Sequence, residues 1–312
     1  MSKPITTYDS AGVLLKTKTN KASVTWQDFL TVIKPGIVIS NLITTFTGLW
    51  LALDFTGQSL LGNIWKVIAI LAGAGLVMAG GCAFNNYIDR DIDRLMTRTM
   101  DRPSATGRFT ARQIFWMGMT LSSLGAILLA HASIIACIFG LLGLFVYVVI
   151  YTMWLKRTHS INTVVGGIAG AIPPVIGWTG IDPSLSSQIP WLLFLILFLW
   201  QPPHFLALAV KRVDEYRRVG IPMLPVVAGF TVTKRQMIIY VALLLPASLM
   251  LHSLGPIYIA ASILLGGSWL FVALSGLRAS DYTQWSKRMF VISLNYMTLL
   301  FIAMIVSVLF KS

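Results

Sequence analysis

Nine stretches of apolar sequence, each 17 to 22 residues long, recur at about residues 37–53, 67–84, 114–130, 133–154, 163–181, 191–210, 237–254, 257–276 and 290–310. At a helical rise of about 1.5 Å per residue each covers close to 30 Å, the thickness of a bilayer's hydrocarbon core. Backbone amides in lipid have no water to bond, so segments of this length must satisfy themselves as helices. The composition agrees: 56% hydrophobic residues, 11% charged and a mean hydropathy of +0.77 exceed what one water-soluble domain of 312 residues can bury. The chain is predicted to be an all-α polytopic membrane protein with nine transmembrane helices.

Basic residues fix the orientation, because Lys and Arg concentrate in cytoplasmic loops. With the N-terminus inside, 22 of the 24 basic residues face the cytoplasm and only Lys66 and Lys311 lie outside, which puts the C-terminus outside. The net charge of +13 is spread over loops that also face anionic lipid, so membrane lipid accounts for it and no nucleic-acid partner is needed. Residues 1–25 are polar, lack the apolar run of a signal peptide and read as a flexible cytoplasmic tail, leaving 26–312 as one intramembrane domain. Cys82 and Cys137 fall within spans in no metal-ligand or redox spacing and read as structural thiols.

Two cytoplasmic connections, about 85–113 and 211–236, are longer and more polar than the rest. Together they hold six of the eleven acidic residues, so chemistry is expected there. The first opens with Asn85, Asn86, Tyr87, Ile88, Asp89, Arg90, Asp91, Ile92 and Asp93. On a helix advancing about 100° per residue, Asn85, Asp89 and Asp93 fall within about 80° of one another, while Asp91 points away. Two carboxylates and an amide oxygen in one stripe suit Mg²⁺, a hard ion that keeps waters or phosphate oxygens in its other positions. Arg98 and Arg102 supply positive charge for phosphates, and Lys156, Arg157 and Asn162 at the next cytoplasmic connection are candidates for the same role. In the second connection Asp214 is the candidate for a further metal ligand. Its i+4 neighbour is Arg218 rather than a carboxylate, so metal bound there must lean on Glu215, water or substrate.

Within the sixth span, Trp200, Gln201, Pro202, Pro203, His204 and Phe205 place an ionisable ring at membrane depth, by default a functional position. His204 is suited to ligate a metal through a neutral ring nitrogen or to act as an acid or base. In the fifth span, Gly166, Gly167, Gly170 and Ala171 ahead of Pro173 and Pro174 predict either a tight helix crossing or a pocket opened by a kink.

These residues resemble the UbiA-type intramembrane prenyltransferases, and within that family the haem-modifying branch of bacteria. The resemblance covers the chain after about residue 26. It rests on the 85–93 segment with Arg98, Thr99, Arg102 and Pro103, and on Tyr151 and Thr152 with Lys156 and Arg157. Further matches are Ile172, Pro173 and Pro174 with Gly177 and Trp178, and Pro203, His204 and Phe205 leading to Pro222, Met223, Leu224 and Pro225. The wider family's second aspartate-rich motif is reduced here to Asp214, Glu215 and Tyr216, which favours the haem-modifying branch over quinone-type enzymes.

The resemblance implies nine helices around a central cavity, a multi-pass protein of the bacterial plasma membrane, and an active site toward the cytoplasm. The implied reaction is Mg²⁺-dependent transfer of a farnesyl group from farnesyl diphosphate to a vinyl group of haem B, with addition of water, giving haem O. Asn85, Asp89 and Asp93 would hold the metal, and Arg98, Arg102, Lys156 and Arg157 would grip the phosphates. His204 would bind the haem iron or position the water, and partners in haem modification or terminal-oxidase assembly would follow. Two other readings compete: an aromatic prenyltransferase making a quinone precursor, which haem binding discriminates, and a secondary transporter. Transporters place their ionisable groups near the bilayer midplane, whereas the acidic stripe here sits at a span end.

Overall fold

The computed structural model describes residues 24–310. The predicted tail, 1–25, therefore lies outside the described residues except for Val24 and Thr25. Thr25 belongs to the fold: its hydroxyl accepts from the Asp28 N–H at 3.2 Å and the Asp28 carboxylate accepts from the Thr25 N–H at 3.1 Å, the reciprocal cap of a helix over Trp26–Ile33. That short helix, not expected from the sequence, exposes Trp26 and buries Asp28 and Val32.

Regular structure among the described residues is entirely helical, and nine helices are long and apolar enough to cross a membrane. They are Pro35–Phe55, Leu61–Ile88, Ala111–Ala132, Ile134–Thr158, Asn162–Ile181, Ile189–Lys211, Gly229–Leu249, Pro256–Ser275 and Tyr282–Leu309. Their starts follow local chemistry. Proline, which lacks the N–H a first turn leaves unpaired, opens the first and eighth spans, and a Thr110–Gln113 capping box opens the third. The ninth begins at Tyr282 rather than near 290, because the Asp281 carboxylate accepts from the Gln284 N–H at 2.9 Å and extends the helix back through Lys287 and Arg288.

The seventh span is displaced from the predicted 237–254. It starts at Gly229 because Lys234 is accommodated inside the helix, its ammonium 5.0 Å from the centre of the Tyr282 ring. It ends at Leu249 because the chain turns through His252–Leu254 into Gly255, whose φ of 103° few other residues adopt. The fourth span is not a uniform α-helix: Ile134–Phe145 passes into a wider π-helix over Val146–Leu155. The second polar connection is also shorter than the predicted 211–236, because 229–236 are helical and Val213–Arg218 forms a helix of its own.

Sequential spans pack on one another, the second and third most extensively. The sixth contacts the fifth, seventh and ninth, and the ninth returns to the first, which closes the bundle. Lipid-facing positions such as Ile39, Ile127, Leu264 and Phe271 remain exposed, as a bilayer requires. The glycine-rich fifth span makes tight crossings, not a kinked-open pocket. It breaks at Ile172 into Asn162–Ala171 and Pro173–Ile181, and a Cβ on Gly170 would overlap the Gln201 side chain. A Cβ on Gly177 would overlap the Thr45 carbonyl of the first span, and one on Gly48 the Pro174 carbonyl.

Gly177→Ala is accordingly expected to destabilise the protein by about 1–3 kcal/mol, whereas Gly267→Ala, with no neighbour within 4 Å, should leave stability unchanged or slightly raised. Thermal unfolding in detergent checks the pair, and equal melting temperatures would contradict the crossing.

Candidate active site

The apolar helix of the second span stops at Ile88, with Asp89 at its C-terminal cap, and a short turn over Arg90–Asp93 follows. Helical spacing survives the junction: the Asp89 N–H donates to the Asn85 carbonyl at 2.9 Å and the Asp93 N–H to the Asp89 carbonyl at 2.8 Å. Asn85, Asp89 and Asp93 therefore share one face, and that face is buried, with exposures of 5%, 1% and 3%. Asp91 turns outward.

Each buried oxygen group meets a cation from a different segment. Lys34, in the left-handed turn (φ 52°) between Trp26–Ile33 and the first span, donates through Nζ to Asn85 Oδ1 at 2.6 Å. Asn85 Nδ2 donates to Asp89 Oδ2 at 2.8 Å, and Lys156 pairs with the same oxygen. Arg102 spans both oxygens of Asp93 at 2.8 and 3.0 Å. Arg157 forks onto Asp91 at 2.7 and 2.8 Å, donates to the Ile88 carbonyl at 3.0 Å and stops 3.8 Å from Asp89 Oδ1. The π-helix of the fourth span leads directly into Lys156 and Arg157. Within it the Thr152 hydroxyl donates to the Tyr147 carbonyl, five residues back, and lies 3.4 Å from Asn85 Nδ2.

The two polar connections meet at this same end of the bundle. Glu215 accepts from the Thr97 hydroxyl at 3.1 Å and the Arg98 N–H at 3.3 Å, and Ile92 and Met96 pack with Ala209, Ile221 and Met223 beneath. Electrostatics follow the crowding of charge. Burial lowers Lys34 to about 8, and burial with Arg212 and Arg102 nearby lowers Arg98. Hydrogen bonds from Arg157 lower Asp91 to about 2, and burial raises Tyr216.

Asp89 Oδ1 is sealed from solvent and has no hydrogen-bond partner among the described residues. A desolvated carboxylate oxygen left open, on a helix face shared with the Asp93 carboxylate and with the Asn85 amide whose oxygen Lys34 holds, belongs to a donor set that suits a hard divalent cation. Among the described residues no three acidic, imidazole or thiol side chains gather, so any such cation must draw the rest of its shell from water or a bound anion.

The UbiA prenyltransferase family model matches residues 41–304. The chain belongs to that family. Among its relatives, Protoheme IX farnesyltransferase of Alkalihalophilus pseudofirmus is 55% identical over 281 residues, 90% of each chain. Protoheme IX farnesyltransferase 2 of Bacillus subtilis is 53% identical over 91% of this chain and 93% of its own. Two solved structures share the fold. A digeranylgeranylglyceryl phosphate synthase has a TM-score of 0.74 at 17% identity, over 90% of this chain and 98% of its own. A UbiA homolog from Archaeoglobus fulgidus bound to GPP and Mg2+ has a TM-score of 0.62 at 15% identity, over 89% and 99%.

Other sequence-predicted residues of this UbiA chain make no hydrogen bond or ion pair with Asn85, Asp89 or Asp93. Asp214 is exposed and paired with Arg217 at 2.6 Å, so Glu215, not Asp214, touches the first connection. Asn162 is buried but committed locally, its amide donating to the His159 carbonyl at 2.8 Å and its oxygen accepting from Thr163 at 3.0 Å. His204 lies on the sixth span, whose helix runs on through Pro202 and Pro203. Its ring stacks between Trp200 at 4.5 Å and Phe290 at 4.8 Å, with Nδ1 2.8 Å from the Ser293 hydroxyl. Lys34 was not singled out by sequence reasoning. Its signal was a lysine directly before the proline that opens a span, which looks like any positive-inside anchor.

Burial ranks these ion pairs. Arg102→Leu strands the buried Asp93 charge and is expected to cost about 3–5 kcal/mol, whereas Asp91→Asn at a 63% exposed side chain should cost about 0–1 kcal/mol. Denaturant unfolding in detergent distinguishes them, and a reversed order would contradict the assignment.

Proposed function

We propose that this chain transfers the farnesyl group of farnesyl diphosphate to a vinyl group of haem B, with water added, to give haem O and diphosphate. The observation that carries the chemistry is the buried Asn85, Asp89 and Asp93 face ringed by Lys34, Arg102, Lys156 and Arg157 at one end of the bundle. The substrates are those named by relatives more than 50% identical along nine-tenths of the chain.

Asn85, Asp89 and Asp93 would hold Mg²⁺, with Asp89 Oδ1 as the open oxygen. The ion would supply Lewis-acid stabilisation of charge on the leaving diphosphate. Lys34, Arg98, Arg102, Lys156 and Arg157 would bind the phosphate oxygens, moving their charge from carboxylate to phosphate as negative charge grows there. The allylic C–O bond breaks with its electron pair going to the diphosphate. The vinyl π electrons then form the new C–C bond, and water captures the resulting cation with loss of a proton. His204 would face the haem, as an iron ligand or as the base that orients the water. Asn162, held by His159 and Thr163, would line the diphosphate end without moving. Asp214 would have to leave Arg217 to join a metal, so a weaker, accessory place suits it. The positive-inside distribution supports a cytoplasmic N-terminus, placing the carboxylate end on the cytoplasmic face of the bacterial plasma membrane.

Purified protein in detergent, given haem B, farnesyl diphosphate and Mg²⁺, is expected to add one hydroxyethylfarnesyl group to haem by mass, and EDTA should stop it. Unchanged haem in folded protein would overturn the proposal. Asp89→Asn and Asp93→Asn are each expected to lower turnover by roughly 100-fold or more while the fold persists. His204→Ala should spare farnesyl diphosphate binding and impair use of haem, and a selective loss of diphosphate binding would contradict that division.

A further inference from the structure

We infer that Ser293 is a positioning residue that fixes the tautomer of His204, making Nε2 the nitrogen presented to substrate. The argument turns on one hydroxyl proton. Ser293 Oγ lies 2.6 Å from the Phe290 carbonyl oxygen, three residues back in the ninth span, and 2.8 Å from His204 Nδ1. A carbonyl only accepts, so the serine's single proton points at Phe290. Turned toward Nδ1 instead, it would leave two oxygen lone pairs facing each other at 2.6 Å. The hydroxyl therefore accepts from His204, Nδ1 carries the ring hydrogen, and Nε2 keeps its lone pair.

The same turn of the ninth span holds the ring in other ways. The Ser293 carbonyl accepts from Trp200 Nε1 at 2.7 Å, Trp200 stacks on one face of His204, and Phe290 stacks on the other. One serine thus binds both members of the Trp200–His204 pair, one helical turn apart on the sixth span. With both faces and Nδ1 engaged, Nε2 is the remaining functional atom. It has no hydrogen-bond partner among the described residues, yet it is not one of the sealed polar atoms, and the residue keeps 9% exposure. An imidazole locked in this way is suited to bind a porphyrin iron, or to accept a proton from water, through Nε2.

That use of Nε2 rests on the proposal that His204 faces haem; the tautomer itself does not. The full chain in detergent, labelled with ¹⁵N-histidine, contains four histidines, and loss of one resonance set in His204→Ala assigns His204. The neutral ring is expected to be protonated at Nδ1 in the wild type and in Ser293→Thr, and to become a tautomer mixture in Ser293→Ala. Protonation at Nε2 in the wild type, or a Ser293→Ala spectrum identical to wild type, would overturn the inference. If Ser293→Ala does not fold, the wild-type and Ser293→Thr spectra decide. Titration with haem B, followed by absorbance, forms the second arm. Ser293→Ala should weaken haem binding by about 10-fold, and His204→Ala should abolish the shift of the haem band. A haem spectrum unchanged by His204→Ala, with the Nδ1–H tautomer observed in the wild type, would sink the iron-ligand reading alone.

Discussion

Charge burial at the end of the second span organises this molecule. A carboxylate withdrawn from water costs several kcal/mol unless opposite charge and hydrogen bonds replace its solvent. Asp89 and Asp93 are both withdrawn, and neither finds a counter-charge on its own helix. Lys34 arrives from the turn before the first span, Arg102 from the connection after the second, and Lys156 from the end of the fourth. Three remote segments are thereby pinned to one point. The pinning leaves positive groups gathered around one carboxylate oxygen that accepts no hydrogen bond, the arrangement a metal diphosphate would need.

The supporting architecture can be understood as what lets those segments converge. Glycines bring the first and fifth spans into backbone contact, and the π-helix widens the fourth span just before it delivers Lys156 and Arg157. Glu215 ties the two polar connections together above an apolar cluster of their own. The second polar feature, His204, sits on the sixth span seven residues before its end, about 10 Å along the helix axis. It is held by Phe290 and Ser293 of the ninth span. The charged end proposed to bind a diphosphate and the aromatic-flanked imidazole proposed to face haem thus occupy the same half of the bundle.

Much of this was legible in the sequence because membrane spans and helical stripes are periodic signals. All nine spans are legible as apolar runs, and so is the Asn85, Asp89 and Asp93 stripe, because i to i−4 bonding continues through Asp89 across the helix break. What was not legible depends on contacts between distant residues. Lys34 reads as a membrane anchor until its distance to Asn85 is known. Ser293 is an ordinary small residue in an apolar span until His204 is placed beside it. The π-helix is hidden in the β-branched and aromatic run Val146, Tyr147, Val148, Val149, Ile150 and Tyr151, which signals only an apolar span. The starts of the seventh and ninth spans are hidden in the sequence because Lys234, Lys287 and Arg288 look like loop residues, although cation–π contact and an Asp281 cap keep them helical.

The central claim is that the Asn85, Asp89 and Asp93 face holds a divalent metal together with a diphosphate. A structure of the protein with Mn²⁺ and a non-ionising farnesyl thiodiphosphate, recorded at a wavelength where manganese scatters anomalously, tests it most directly. The account predicts an anomalous peak beside Asp89 Oδ1, with the diphosphate within reach of Lys34, Arg102 and Lys156. A peak elsewhere, or diphosphate density at this face with no metal and the Lys156–Asp89 and Arg102–Asp93 pairs undisturbed, would contradict it.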